Sequence, residues 1–149
     1  MTSAPAPIVS QASSFLAFDF GSLRVGVAVG NTLLQSAQPL RTIAAEGEQR
    51  FSQIEAVIGE WRPSALVVGI PYHPDGAAHD NTRRAQRFAR QLRGRFKLPV
   101  HEVDERYTTT EALTAGAADV DAASAALILE QYFRQSFVQS LSPDSSSRA

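Results

Sequence analysis

A chain of 149 residues is the size of one domain, and its 44% hydrophobic and 19% charged residues exclude a disordered or fibrous protein. No run approaches the roughly 18 apolar residues of a membrane span, and with no cysteine, disulfide scaffolds, thiol nucleophiles and cysteine-ligated metals are excluded as well. A net charge of −1 argues against a generic polyanion binder, and the start has no secretory pattern, so a cytoplasmic protein is expected.

Residues 1–14 are small, polar and interrupted by proline, and read as an N-terminal tail; residues 139–149 read as a C-terminal one. The domain expected between them covers 15–138. Phe15–Phe20 is an apolar run ended by Gly21-Ser22, which suits a buried strand. Val25–Val29 forms a second strand close enough to complete a hairpin. A weaker third strand lies within Leu34–Ile43, where Pro39 implies an edge or an irregularity. Phe51, Ile54, Val57, Ile58 and Trp61 keep helical spacing until Pro63. Ala65–Ile70 is an unbroken apolar strand of the kind covered on both faces.

After a loop at Pro71–Gly76, a helix runs from about Asn81 to Phe96, with Ala85, Phe88, Ala89, Leu92 and Phe96 inward and its arginines outward. Pro99–Glu105 is the last strand. The last helix runs from about Val120 to Phe137 on a stripe of Ala125, Ile128, Leu129, Tyr132 and Phe133. The order β-β-β-α-β-α-β-α predicts an α/β domain with a mixed five-stranded sheet flanked by helices, which is the order of the ribonuclease H-like fold.

Charge is unevenly spread. Arg83, Arg84, Arg87, Arg90, Arg93, Arg95 and Lys97 fall within one short stretch that contains no acid. Such a local field attracts phosphate even on a near-neutral chain, although a solvated helix face has the same composition.

Three acidic positions stand out against this background. Asp19 interrupts an otherwise apolar strand, where a charge needs a partner, a turn to shape or a cation to bind. Asp104 and Glu105 end the last strand, and alternation lets only one of them share a face with Asp19. Asp121 opens the last helix, where an N-terminal cap is the ordinary reading, yet it starts the buried stripe with Ser124, Ala125, Ile128 and Tyr132. An oxygen-only set without His or Cys suits Mg²⁺ or Mn²⁺ rather than zinc. The three histidines show no metal-ligand spacing.

Phe18-Asp-Phe-Gly-Ser-Leu-Arg-Val-Gly-Val-Ala-Val29 closely resembles the opening motif of the YqgF/RuvX family. Val68-Gly-Ile-Pro-Tyr-His-Pro-Asp-Gly76, Asp104-Glu-Arg-Tyr-Thr-Thr109 and Val120-Asp-Ala-Ala-Ser-Ala-Ala-Leu-Ile-Leu129 resemble its later motifs, in order. This resemblance implies a ribonuclease H-like nuclease related to Holliday-junction resolvases and associated with 5′-end maturation of pre-16S rRNA. It implies Asp19, the Asp104–Glu105 pair and Asp121 as the catalytic and metal-binding set, with Glu105 preferred over Asp104. It also implies nucleic acid as partner, pre-rRNA favoured and branched DNA the alternative. Arg24, Arg83, Arg84, Arg87, Arg90 and Arg106 are the candidates to meet its phosphates. Relatives often carry a longer basic loop before the last helix; here Thr110–Val120 has no Lys or Arg, which shifts phosphate binding to the arginine helix.

Two rival readings are a non-catalytic nucleic-acid or ribosome-binding module and an actin-like or sugar-kinase-like phosphate binder, whose first motif Asp-Phe-Gly-Ser also resembles. The latter needs two related domains, and about 125 folded residues supply one.

Overall fold

The computed structural model describes residues 13–105 and 116–140, so both expected tails lie almost wholly outside the described residues, as do Arg106 and most of the loop before the last helix. Five strands form one sheet in the order β3-β2-β1-β4-β5: β1 (Ser14–Phe20), β2 (Val25–Asn31), β3 (Ser36–Ile43), β4 (Ala65–Ile70) and β5 (Val100–Asp104). β1, β2 and β3 pair antiparallel, whereas β4 lies parallel to β1 and β5 parallel to β4. The mixed five-stranded α/β sheet expected from the element order is the one observed.

Alternation divides the sheet into two cores. Leu16 and Phe18 of β1, Leu66, Val68 and Ile70 of β4, and Val100 of β5 pack against α1 (Gly47–Trp61) and α2 (Asp80–Phe96). Phe15, Ala17, Ala65, Val67 and Val103 point the other way, onto Ile128, Leu129 and Phe133 of α3 (Val120–Ser140). All six residues of β4 are buried, as a strand covered on both faces requires.

Pro39 sits on the edge strand, where the register with β2 slips between Val27 and Ala28 and accommodates a residue that cannot donate to the ladder. α3 continues three residues past its expected end at Phe137, since no glycine or proline stops it before Pro143.

β2 turns only small residues to α3. Gly26, Ala28 and Gly30 alternate with the larger Val25, Val27 and Val29, and Ala28 packs against Ala125 and Ala126. A Cβ on Gly26 would lie 1.9 Å from the backbone oxygen of Asp121. The first turn of α3 therefore rests directly on β2, which fixes the position of Asp121.

Among the described residues no helix is long and apolar enough to cross a membrane.

Candidate active site at the carboxyl ends of the parallel strands

β1, β4 and β5 all finish at one edge of the sheet, the edge where open α/β sheets bind their ligands. Asp19 is the penultimate residue of β1 and shares its face with Phe15 and Ala17, toward α3. Its cross-strand partner is Gly26, the residue against which the start of α3 is pressed. Asp121 is thereby brought beside Asp19 from above the sheet.

The third carboxylate arrives from β5. Val103 faces α3, so alternation sends Asp104 to the opposite face with Val100, and Glu105 follows Val103. The Glu105 side chain lies over Gly69 of β4, where an added Cβ would stand 2.7 Å from Oε2 and 2.5 Å from Cδ1 of Ile128. Gly69 thus leaves the room that a carboxylate needs between β4 and α3.

The charges feel one another. Burial, then the negative charges of Glu105 and Asp121, push the Asp19 carboxyl from its ordinary value near 3.8 up to about 8. Burial, then Asp104, raises Glu105 to about 7. Two raised carboxyls side by side are a site short of positive charge.

Arg24 supplies part of it. Its Nε donates to Oδ2 of Asp121 at 2.7 Å, with the arginine side chain 62% exposed and the aspartate 30%. Asp121 is not the helix cap. That role belongs to Asp119, whose Oδ1 accepts from the Ala122 amide at 3.0 Å and from the Thr42 hydroxyl. An Asp directly preceding an apolar helical stripe was the sequence signal for it.

Among the described residues no three His, Cys, Asp or Glu side chains are drawn close enough to hold a metal ion as they stand. The donor chemistry nonetheless fits one. Asp19, Glu105 and Asp121 are oxygen donors on three different elements around one hollow, and their raised acidities measure the missing cation.

The arginines of α2 separate into two groups. Arg83 pairs with Asp80 at 3.1 Å and Arg93 with Glu102 at 3.6 Å, while Arg95 binds Glu48 through both terminal nitrogens and stacks over Phe51 at 4.1 Å. Arg84, Arg87 and Arg90 are exposed and make no ion pair among the described residues. His79, with no expected role, caps α2 by accepting from the Asn81 amide through Nδ1 at 3.1 Å.

Comparison with known proteins places this geometry. The family model for RuvX, described as Holliday junction resolvase, matches residues 13–135. The candidate pre-16S rRNA nuclease of Albidiferax ferrireducens is 64% identical over 130 residues, covering 87% of this chain and 83% of that protein. Its namesake in a Polaromonas species is 67% identical over 121 residues, covering 81% and 88%. The solved structure of T. thermophilus RuvC in complex with a Holliday junction substrate matches with a TM-score of 0.52 at 16% identity, over 84% of this chain and 96% of that one, a likeness of fold. With a match spanning nearly all of the described residues and relatives this similar, the chain belongs to the RuvX family.

Proposed function

We propose that this RuvX family member is a divalent-metal-dependent nuclease that hydrolyses a phosphodiester bond in the 5′ region of pre-16S rRNA. The observation that carries the reading is the Asp19 carboxyl, raised to about 8 between Glu105 and Asp121 at the carboxyl end of the sheet. The names of its relatives support the RNA substrate.

Asp19, Glu105 and Asp121 are the residues that would hold Mg²⁺ or Mn²⁺. Bound there, such ions lower the pKa of the attacking water and stabilise the departing oxygen. Everything else is positioning by the chain. Gly69 and Ile128 fix the Glu105 carboxylate, and the α3 backbone on Gly26 fixes Asp121. Of the β5 pair, Glu105 is the ligand and Asp104 acts through its charge on Glu105.

Arg24 has two roles. It neutralises Asp121 through Nε, and its terminal nitrogens remain available to a phosphate oxygen of the substrate. Arg24→Met is therefore expected to tighten Mn²⁺ binding by up to about fivefold, the worth of an exposed ion pair. It is expected to slow cleavage by about 10- to 100-fold through loss of a charged hydrogen bond. Calorimetry and single-turnover kinetics on the same preparation measure the two effects. An Arg24 that only braces the turn changes neither.

The family description favours a second substrate, the four-way DNA junction. Cleavage of a precursor 16S rRNA 5′ segment and of a four-way junction, with Mn²⁺ and with chelator, tests the proposal. Metal-dependent cutting of the RNA is expected. Cutting of the junction alone overturns the substrate, and cutting of neither in Mn²⁺ or Mg²⁺ overturns the nuclease reading.

A further inference from the structure

A cleft of about 350 Å³ opens between α1 and α2, on the face of the sheet opposite α3. Phe20, Phe51 and Phe88 form one wall, while Arg84, Arg87 and Gln91 line the other at helical spacing. Arg84 and Arg87 are two of the three α2 arginines without an acidic partner among the described residues; Arg83, Arg93 and Arg95, which do not line the cleft, each have one.

A third cation lies at its base. Arg50 is 6% exposed and makes no ion pair among the described residues. Its Nε donates to the Ala45 carbonyl at 2.8 Å, its Nη2 to the Ser22 carbonyl at 3.0 Å, and its guanidinium stands 5.5 Å over the Phe20 ring. Carbonyl oxygens orient this buried charge without cancelling it, so the cleft keeps a positive field in low-dielectric surroundings.

Ser22 lines this cleft and also the hollow formed with Gly21, Leu23, Arg24 and Asp121. Only the β1–β2 turn separates the two. Phe20, in the cleft wall, immediately follows Asp19 in the chain.

We propose that this cleft is a subsite for one unstacked nucleotide of a single-stranded nucleic acid, its phosphate on Arg84 and Arg87 and its base against the phenylalanine wall. A base still paired and stacked in a duplex cannot enter, whereas bases of single strands are commonly taken against aromatic rings beside arginines. A strand lying over the β1–β2 turn reaches both hollows at once, so the bound nucleotide sets which neighbouring phosphodiester meets the carboxylates. The inference rests on the nuclease reading for its purpose, but its binding is measurable without cleavage.

The test is fluorescence anisotropy of the full chain with labelled 12-nucleotide single-stranded RNA, the same sequence as DNA, and the RNA duplex, all in chelator. Arg84→Ala/Arg87→Ala is expected to weaken single-strand binding about tenfold or more. It should flatten the log–log salt dependence by about 1.4, at about 0.7 per lost phosphate contact. Gln91→Trp fills the cleft without changing charge, and is expected to weaken single-strand binding with an unaltered salt slope and unaltered duplex binding. Arg90→Ala, outside the cleft, should leave single-strand binding as it was. RNA bound more tightly than DNA assigns the subsite to RNA, and equal binding assigns it to single strands of either kind.

Unchanged single-strand affinity in the double variant overturns the subsite. So does an equal loss for strand and duplex with no effect of Gln91→Trp, which is plain surface attraction. Variant effects as expected in a protein that never cleaves leave the subsite standing and remove the nuclease reading instead.

Discussion

Asp19→Asn is expected to reduce metal-dependent cleavage by a factor of about 10³ or more while making the metal-free protein more stable at pH 8 than the parent. Asn has nearly the same shape and keeps an acceptor oxygen, so the fold and the arginines are untouched; what disappears is the negative charge. In the unfolded chain Asp19 loses its proton near 3.8, but in the folded chain it keeps it up to about 8. Between those values the native state holds more protons than the unfolded one, and stability falls as pH rises. Glu105 adds a second contribution in the same direction, between 4.5 and about 7. Removing the Asp19 charge is expected to restore about 2 kcal/mol at pH 8, or about 4–8 °C in Tm, and to flatten the pH dependence. Thermal melts in chelator from pH 4 to 9 measure it. An aspartate that merely shapes the turn at Gly21 gives the opposite pattern, with cleavage kept and no stability gained. Asp121→Asn should lose cleavage to a similar degree. The double variant should be little worse than either single one, because the carboxylates act as a unit.

Gly26→Ala should damage both stability and catalysis from a position that contacts no substrate. The new methyl carbon would lie 1.9 Å from the Asp121 carbonyl oxygen and 3.0 Å from the Ala122 nitrogen. Both are backbone atoms, so α3 itself has to retreat from the sheet. Overpacking costs about 1–3 kcal/mol, and a backbone obstacle belongs at the upper end. The helix carries Asp121 with it, and a displacement of about 1 Å in a catalytic group costs about 10²-fold in rate. Gly59→Ala is the control: nothing lies within 4 Å of its added Cβ, and a helical Gly→Ala change gains about 0.5–1 kcal/mol. Equal melting temperatures for the parent and Gly26→Ala would mean that α3 does not bear on β2 there.

Much of this arrangement was legible in the chain. A lone charge in the run Phe15–Phe20 marked Asp19, and Asp121 was marked by beginning the apolar stripe of the last helix. The choice of Glu105 over Asp104 was open until Val103 was seen against α3, which fixes the parity of its neighbours. The alternation of Gly26, Ala28 and Gly30 with valines was present but unread: it looked like an ordinary strand, and its meaning depends on the helix that arrives from about 95 residues further on. Arg50 shares a helical face with Ile54 and Val57, which was a sign of burial. The division of the α2 arginines was out of reach, because the acids that take Arg93 and Arg95 come from β5 and from the start of α1. Pairing of that kind is decided by tertiary packing.

The central claim is that Asp19, Glu105 and Asp121 form one cation site, held short of positive charge until metal arrives. Isothermal calorimetry of Mn²⁺ into the chelator-treated protein, repeated near pH 7 in buffers of different ionisation enthalpy, measures metal binding and proton release together. Saturable binding that expels protons is expected, since Asp19 is mostly protonated there and must give up its proton to become a ligand. Binding should be greatly weakened in Asp19→Asn, with its proton release gone. Mn²⁺ binding that is absent from the parent, or equally tight and equally proton-linked in Asp19→Asn, would contradict the account.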